Sequence, residues 1–135
     1  MSSTELFELA AQPTNVVVRK IRDGLPASSF TKLATTLGIP KNLLALKLGI
    51  AQRTINRRYK LHRVLSADAS EKIVRIARIR NLARKLFTED AAIYQWLNTP
   101  APALDGSRPI DLLDTDVGVR DVEALIQGIL FGNVI

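Results

Sequence analysis

The chain has 135 residues, of which 47% are apolar and 24% are charged, a composition that supports a globular core and excludes a disordered chain. It contains no cysteine, which excludes disulfides and thiolate catalysis, and its N-terminal stretch lacks the pattern of a secretory signal. Because no apolar run is long enough to span a membrane, we expect a cytoplasmic protein.

The net charge of +6 is divided unevenly along the chain. Residues 1–87 contain 17 Lys/Arg and 5 Asp/Glu, a net charge of +12, whereas residues 88–135 contain 2 and 8, a net charge of −6. A basic part of this kind suits a polyanion such as nucleic acid, and the alternative is a basic surface that is merely solvated.

Turn residues and apolar periodicity predict helices nearly throughout, and therefore an all-α fold without strands. The predicted helices, in chain order, are one capped by Ser2 or Ser3, one from Pro13–Thr14 to Asp23, then Ser28–Leu37, Lys41–Leu48, Gln52–Lys60, Ala67–Phe87, Thr88–Leu97, a short Ile110–Leu113 and Val117–Leu130. We expect these helices to form an N-terminal DNA-binding domain at 1–65, a connecting basic helix at 66–87 and a second helical domain at 88–135, and the net charge changes sign at the last of these boundaries.

The stretch KNLLALKLGIAQRTINRRYK, residues 41–60, carries the most specific local signal of the basic part. A helix-turn-helix needs a small residue where the two helices touch, a glycine in the turn and an apolar residue that locks the second helix. Ala45, Gly49 and Ile55 occupy those places, and the run resembles the helix-turn-helix of phage-repressor-like regulators. Arg58 departs from the pattern, because an apolar residue is common there.

The second of these helices has one basic face. At about 100° per residue, Arg53, Asn56, Arg57 and Lys60 fall within one quarter of the helix, while Tyr59 is predicted to point into the core with Ile55. Arg and Asn side chains can hydrogen-bond base edges, so the sequence predicts contact with operator DNA rather than a solvated face. The predicted DNA-binding residues are Gln52, Arg53, Asn56, Arg57, Arg58, Lys60 and Arg63.

The connecting helix that follows is also basic. Two roles remain open for its cations: they extend the DNA-binding surface, or they pair with the acidic C-terminal part. These cations are Lys72, Arg75, Arg78, Arg80, Arg84 and Lys85.

The acidic part has the composition of a compact module. Trp96, the only tryptophan, is expected to anchor a small core, and Gly106 to supply a backbone angle that other residues resist. Thr115 or Asp116 can cap the last helix, and Gly128 inside that helix indicates a close approach by another segment or chain.

An ordered set of residues in this part resembles the toxin-binding domain of Xre/MbcA/ParS antitoxins. The set comprises Trp96-Leu97, Pro100, Leu104-x-Gly106, Arg108-Pro109-x-Asp111-Leu112-Leu113, Gly118, Val122, Leu125, Ile126 and Gly128. The resemblance implies an antitoxin that neutralises a toxin from the same operon, typically a RES-domain toxin acting on NAD, and that represses the operon through its DNA-binding part. The expected partners are that toxin, operator DNA and a second copy of the chain, since one helix-turn-helix forms a small interface.

The chain ends on an apolar segment for which two explanations are open: the tail folds back on its own core, or a toxin covers it. For Arg108 and Asp111, a role in stabilising their own fold is favoured over contact with the partner. The candidate toxin-binding residues are Arg108, Leu130, Phe131, Gly132, Asn133, Val134 and Ile135.

Two other functions compete with this interpretation. An enzyme is disfavoured, because His62 is the only histidine, no Gly-rich phosphate loop occurs and the aspartates lack the spacing of a metal site, so no cofactor is expected either. A stand-alone repressor with a C-terminal dimerisation or sensing domain remains the main alternative.

Overall fold

The computed structural model describes residues 1–132, which form eight α-helices and two short 3₁₀ helices. Apart from an isolated backbone bridge between Pro26 and Val64, these residues form no β-structure, so the all-α prediction is confirmed. No helix in this range is long and apolar enough to cross a bilayer. The α-helices are α1 Ser3–Ala10, α2 Thr14–Asp23, α3 Ser28–Leu37, α4 Lys41–Leu48, α5 Gln52–Lys60, α6 Ala67–Ala83, α7 Asp90–Leu97 and α8 Asp116–Leu130.

The long helix α6 lies at the centre of the fold. It packs against α1, α2, α3, α4, α7 and α8, and its Ile73, Ile76 and Ile79 are at most 1% exposed. A single cluster of buried side chains runs from Leu6 in α1 to Ile126 in α8. The basic and acidic parts of the chain therefore share one core, and the segment predicted as a connection contributes much of it.

Side-chain caps fix the starts of two outer helices. The Ser2 hydroxyl accepts a hydrogen bond from the Glu5 N–H at 3.1 Å, and the Glu5 carboxylate accepts one in return from the Ser2 N–H. At α8 it is the Thr115 hydroxyl, rather than Asp116, that accepts from the Gly118 N–H at 3.0 Å. Each cap satisfies a backbone donor that the helix itself leaves unpaired.

The boundary between α6 and α7 differs from the prediction. α6 ends at Ala83 instead of Phe87, and α7 begins at Asp90 with no cap from Thr88. The intervening residues turn, which places the Phe87 ring 6.3 Å from the Trp96 ring, centroid to centroid. Tertiary packing of the two aromatic rings thus overrides the local helical preference of this segment.

α8 enters the fold very close to the preceding 3₁₀ helix, Pro109–Leu112. The sequence placed a short helix at 110–113, and the observed turn is tighter and begins at the proline. A Cβ atom on Gly118 would overlap the carbonyl oxygen of Leu112, so only glycine fits this crossing. Gly106 has φ +80°, as the sequence predicted.

Replacing Gly118 with alanine should destabilise the protein by about 1–3 kcal/mol, because the added methyl group forces the backbones of α8 and the 3₁₀ helix apart. Thermal denaturation followed by circular dichroism measures the effect. Gln127→Ala, on the exposed face of the same helix, is the matched control and should change the melting temperature little. An unchanged melting temperature for Gly118→Ala would show that the crossing relaxes without cost.

Candidate functional site

The α4–turn–α5 unit has the geometry that the sequence predicted. Gly49 ends α4 with φ +64°, and the Ile50 N–H returns to the Ala45 carbonyl at 3.0 Å, which closes the turn. Ala45 and Ile55 are each 3% exposed. The small residue at the crossing, the glycine in the turn and the apolar residue locking α5 are thus all confirmed.

The outer face of α5 is polar and open. Ile55 is its only fully buried residue, and Arg53, Asn56, Arg57 and Lys60 are exposed. One shallow groove is lined by Gln52, Arg53, Asn56, Arg57, Lys60 and Leu61. Five of the predicted DNA-binding residues therefore lie together, and the exposed Leu61 joins them without having been predicted.

Two residues near the end of α5 behave differently from the prediction. Tyr59 is 52% exposed, so its predicted burial is wrong. The end of α5 faces two segments, residues 25–27 and 63–65, that are hydrogen-bonded to each other through their backbones. These segments offer no apolar helix face against which the ring could pack. Arg58 is half-buried, and its Nη1 donates to the Val64 carbonyl at 2.7 Å. Its guanidinium therefore stabilises the segment that follows α5. This structural role makes the guanidinium less available for contact with a phosphate.

The cations of α6 are used within the molecule. Arg80 binds the Asp90 carboxylate of α7 with two hydrogen bonds of 2.9 and 3.2 Å, and Arg78 reaches Glu123 of α8 at 3.4 Å. Pairing with the acidic part, one of the two roles left open by the sequence, is therefore observed for these arginines. By contrast, Arg53, Arg57 and Lys60 of α5 form no ion pair within residues 1–132.

Arg80 also contacts the N-terminal helix α1. Its guanidinium lies 4.0 Å from the centroid of the Phe7 ring, and the neighbouring Asn81 side chain donates to the Phe7 carbonyl at 2.8 Å. Because the Arg80 side chain is only 19% exposed, the cation–π contact is largely shielded from water. No sequence pattern predicts this contact, which joins residues more than 70 positions apart.

A second ionic cluster joins the helix-turn-helix to the acidic part. Arg108 donates to both carboxylate oxygens of Asp111, at 2.9 and 3.0 Å, and Lys47 of α4 donates to the same carboxylate at 2.8 Å. These two cations lower the pKa of Asp111 to about 2, Arg108 having the larger effect. Arg108 and Asp111 are thus engaged in their own fold, the role that the sequence favoured.

The C-terminal end of α8 presents apolar side chains to solvent. Leu130 is half-buried against the core, whereas Phe131 is 77% exposed and Gly132 is exposed as well. Gly128, predicted at a close approach, is buried within α8. The remaining candidate toxin-binding residues, Asn133, Val134 and Ile135, lie outside the described residues.

The protein has a helix-turn-helix with an exposed basic helix, and a second helical module packs with it on the shared helix α6. This arrangement is typical of two-part regulators. Residues 16–78 match the antitoxin Xre-like helix-turn-helix domain, and residues 82–132 match the antitoxin Xre/MbcA/ParS C-terminal toxin-binding domain. An antitoxin Xre from Photorhabdus laumondii is 31% identical over 115 residues, covering 84% of this chain and 78% of that one. The chain belongs to the Xre antitoxin family, which confirms the resemblance and favours an antitoxin over a stand-alone repressor.

Other similar proteins agree with this assignment. An antitoxin Xre from Yersinia enterocolitica is 29% identical, covering 87% of this chain and 80% of that protein. A protein from Sphingobium named Prs ADP-ribosylating antitoxin is 26% identical over 83% of this chain and 76% of its own length. The structure of the M. tuberculosis MbcT–MbcA toxin–antitoxin complex contains a chain of the same fold, with a TM-score of 0.62 and 18% identity over 81% of this chain and 96% of that one.

Asp111→Asn should lower the free energy of unfolding at neutral pH by about 1 kcal/mol, a modest value because the carboxylate is 36% exposed and screened by solvent. The folded-state pKa lies below the unfolded one, so the stabilisation is present above about pH 4 and is lost as the pH falls towards about 2. Urea denaturation at a series of pH values measures the difference from the wild type.

The control is Asp114→Asn, since Asp114 is exposed and forms no ion pair in the described part of the chain. This variant should follow the wild type at every pH. A difference between Asp111→Asn and the wild type that stays constant down to pH 2 would contradict the ionic origin of the stabilisation.

Proposed function

We propose that this antitoxin neutralises a RES-domain toxin, an enzyme acting on NAD, by binding it directly through the C-terminal part of the chain. We further propose that it represses its own operon as a homodimer that reads DNA with α5. The observation that carries the proposal is the contrast between two surfaces on one shared core: among residues 1–132 the cations of α5 form no ion pairs, and α8 ends on exposed apolar side chains. These surfaces suit two chemically different partners.

The names of similar proteins support the proposed class of toxin. The Sphingobium relative carries the name Prs ADP-ribosylating antitoxin, and ADP-ribosylation is a reaction of NAD. The structural neighbour MbcA is part of a complex with a toxin, MbcT. An NAD-consuming RES toxin agrees with the name of the Sphingobium relative and is the class that the Xre resemblance implies.

The DNA-binding half of the proposal follows from the face of α5. Arg53, Asn56 and Arg57 point away from the core in one groove, so they can reach base edges when α5 enters the major groove. Lys60 and Arg63 are exposed at the end of the helix, where the phosphate backbone would lie. Because a single helix-turn-helix has a small interface, we propose that two copies bind repeated half-sites.

The toxin-binding half of the proposal centres on the end of α8. An exposed phenylalanine at the end of a helix loses unfavourable contact with water when a partner covers it. Arg108 is 45% exposed although it binds Asp111, so its outer edge is still accessible to a toxin. We propose a division at 1–65, 66–87 and 88–135, in which the last segment supplies the toxin contacts while α6 holds both segments in place.

Arg57→Ala should weaken binding to the operator by about 1–3 kcal/mol and relax the preference for one base pair. The physical reason is the loss of a guanidinium that can donate two hydrogen bonds to a guanine edge. Fluorescence anisotropy with promoter duplexes from the region upstream of the gene, each carrying single base-pair changes, measures both effects.

Arg120→Ala is the matched control, because Arg120 is a highly exposed arginine on α8. It should leave operator binding unchanged. Equal weakening of Arg57→Ala on operator and on random DNA would reduce Arg57 to a phosphate contact.

Removing residues 131–135 should abolish toxin neutralisation and leave DNA binding intact, because the deletion takes away the exposed Phe131 without touching the core of α8. The assay is co-expression with the product of the adjacent co-directional gene, scored by growth, by cellular NAD level and by co-purification. Full-length antitoxin should restore growth and preserve NAD.

Val117→Ser provides the control at the opposite end of α8, where Val117 is 70% exposed. This variant should still neutralise the toxin. Neutralisation by the truncated chain would remove the end of α8 from the mechanism, and a toxin that leaves NAD unchanged would contradict the RES assignment.

A further inference from the structure

We infer that α2 is a second DNA-binding element, in which Arg19, Lys20 and Arg22 contact the phosphate backbone beside the groove that α5 enters. The inference rests on the proposed DNA binding of α5 and adds a surface outside the helix-turn-helix itself. Its partner is the sugar–phosphate chain of duplex DNA, which these residues would bind without reading base sequence.

The first observation is the way α2 lies on the protein. None of its ten residues is fully buried, and it contacts the core only through half-buried side chains such as Val17 and Ile21. Arg19 and Arg22 are exposed and three residues apart, so they lie on the same outer side of the helix. The helix thus presents a basic surface to its surroundings along its last two turns.

The second observation is the position of this surface relative to α5. The segment after α2 pairs with the segment after α5: the Leu65 N–H donates to the Leu25 carbonyl at 2.7 Å, and the Ala27 N–H donates to the Arg63 carbonyl at 3.2 Å. The C-terminal end of α2 is therefore tied, through a few residues, to the predicted phosphate contact Arg63. The C-terminal ends of α2 and α5, both of which carry basic side chains, therefore lie beside the same pair of hydrogen-bonded segments.

The third observation is how cations are distributed between ion pairs and solvent. Within residues 1–132, seven of the eight ion pairs use a cation from position 72 onwards, and the eighth uses Lys47. No ion pair in this range involves the cations of α2, although Glu5 and Glu8 lie on the neighbouring helix α1. Asp23 is the one acid within α2, so the helix keeps a net charge of +2, and a surface with surplus positive charge attracts a polyanion.

Together these observations place the basic C-terminal end of α2 near the C-terminal end of α5, where the exposed Arg63 follows the helix. Duplex DNA carries regularly spaced phosphates on both sides of the major groove, so a helix beside the reading helix can contact one flank. Such contacts would hold the protein in register on the duplex and raise affinity for operator and random DNA alike.

The test is the double variant Arg19→Gln/Arg22→Gln, which removes two charges and keeps good helix formers. Dissociation constants are measured at several salt concentrations with two duplexes of equal length, one from the promoter region upstream of the gene and one of random sequence. We expect roughly tenfold weaker binding to both duplexes near physiological salt, and a salt dependence reduced by about one to two phosphate contacts.

The charge-matched control is Arg84→Gln/Arg120→Gln, which removes two exposed cations that each pair with an acid of the C-terminal part, Arg84 with Asp90 and Arg120 with Asp116. It should bind both duplexes as the wild type does. Melting temperatures of both double variants verify the fold, and growth rescue in the co-expression assay should be unchanged for the α2 variant.

The outcomes separate the inference from the proposal on which it depends. If the wild type binds the promoter duplex and Arg19→Gln/Arg22→Gln binds with the same affinity and salt dependence, α2 is a solvated face and only the inference is overturned. Weaker toxin co-purification with unchanged DNA binding would assign the surface to the toxin and would also overturn it. If the wild type binds neither duplex, the proposed DNA binding fails and the inference fails with it.

Discussion

Burial of α6 is the constraint on which the rest of the structure depends. A helix whose isoleucines are almost fully enclosed must be covered on nearly every side, and helices from both charged parts supply that cover. The helix-turn-helix is held on it through α3 and α4, and the toxin-binding module through α7 and α8. The two proposed binding surfaces are consequently fixed relative to each other by apolar packing rather than by a flexible connection.

Electrostatics then distinguishes the surfaces that this packing leaves outside. Acidic side chains of the C-terminal part neutralise two arginines of α6: Asp90 pairs with Arg80 and Glu123 with Arg78. The cations of α5 have no such neighbours among the described residues, so the surplus positive charge of the chain collects where a nucleic acid is expected. The same acids that stabilise the core therefore also confine the basic surface.

Much of this arrangement is predictable from the sequence, and the exceptions have a common cause. Helix starts, the turn glycine and the locked face of α5 follow from local rules, because Ser2, Gly49 and Ile55 act within one or two helical turns. The end of α6, the exposure of Tyr59 and the link between Lys47 and Asp111 depend on contacts between different elements of the fold. Local periodicity carries no information about such neighbours, so these features become visible only in three dimensions.

The continuous core around α6 has a thermodynamic consequence. Because the helices on both sides of α6 depend on the same buried side chains, we expect them to unfold in one cooperative transition. A ligand that binds only the folded chain then stabilises all of it, in proportion to the logarithm of its concentration relative to its dissociation constant. A toxin bound at the end of α8 would thereby lower the population of molecules in which α5 is unfolded, and operator DNA would protect the C-terminal module from proteases in the same way.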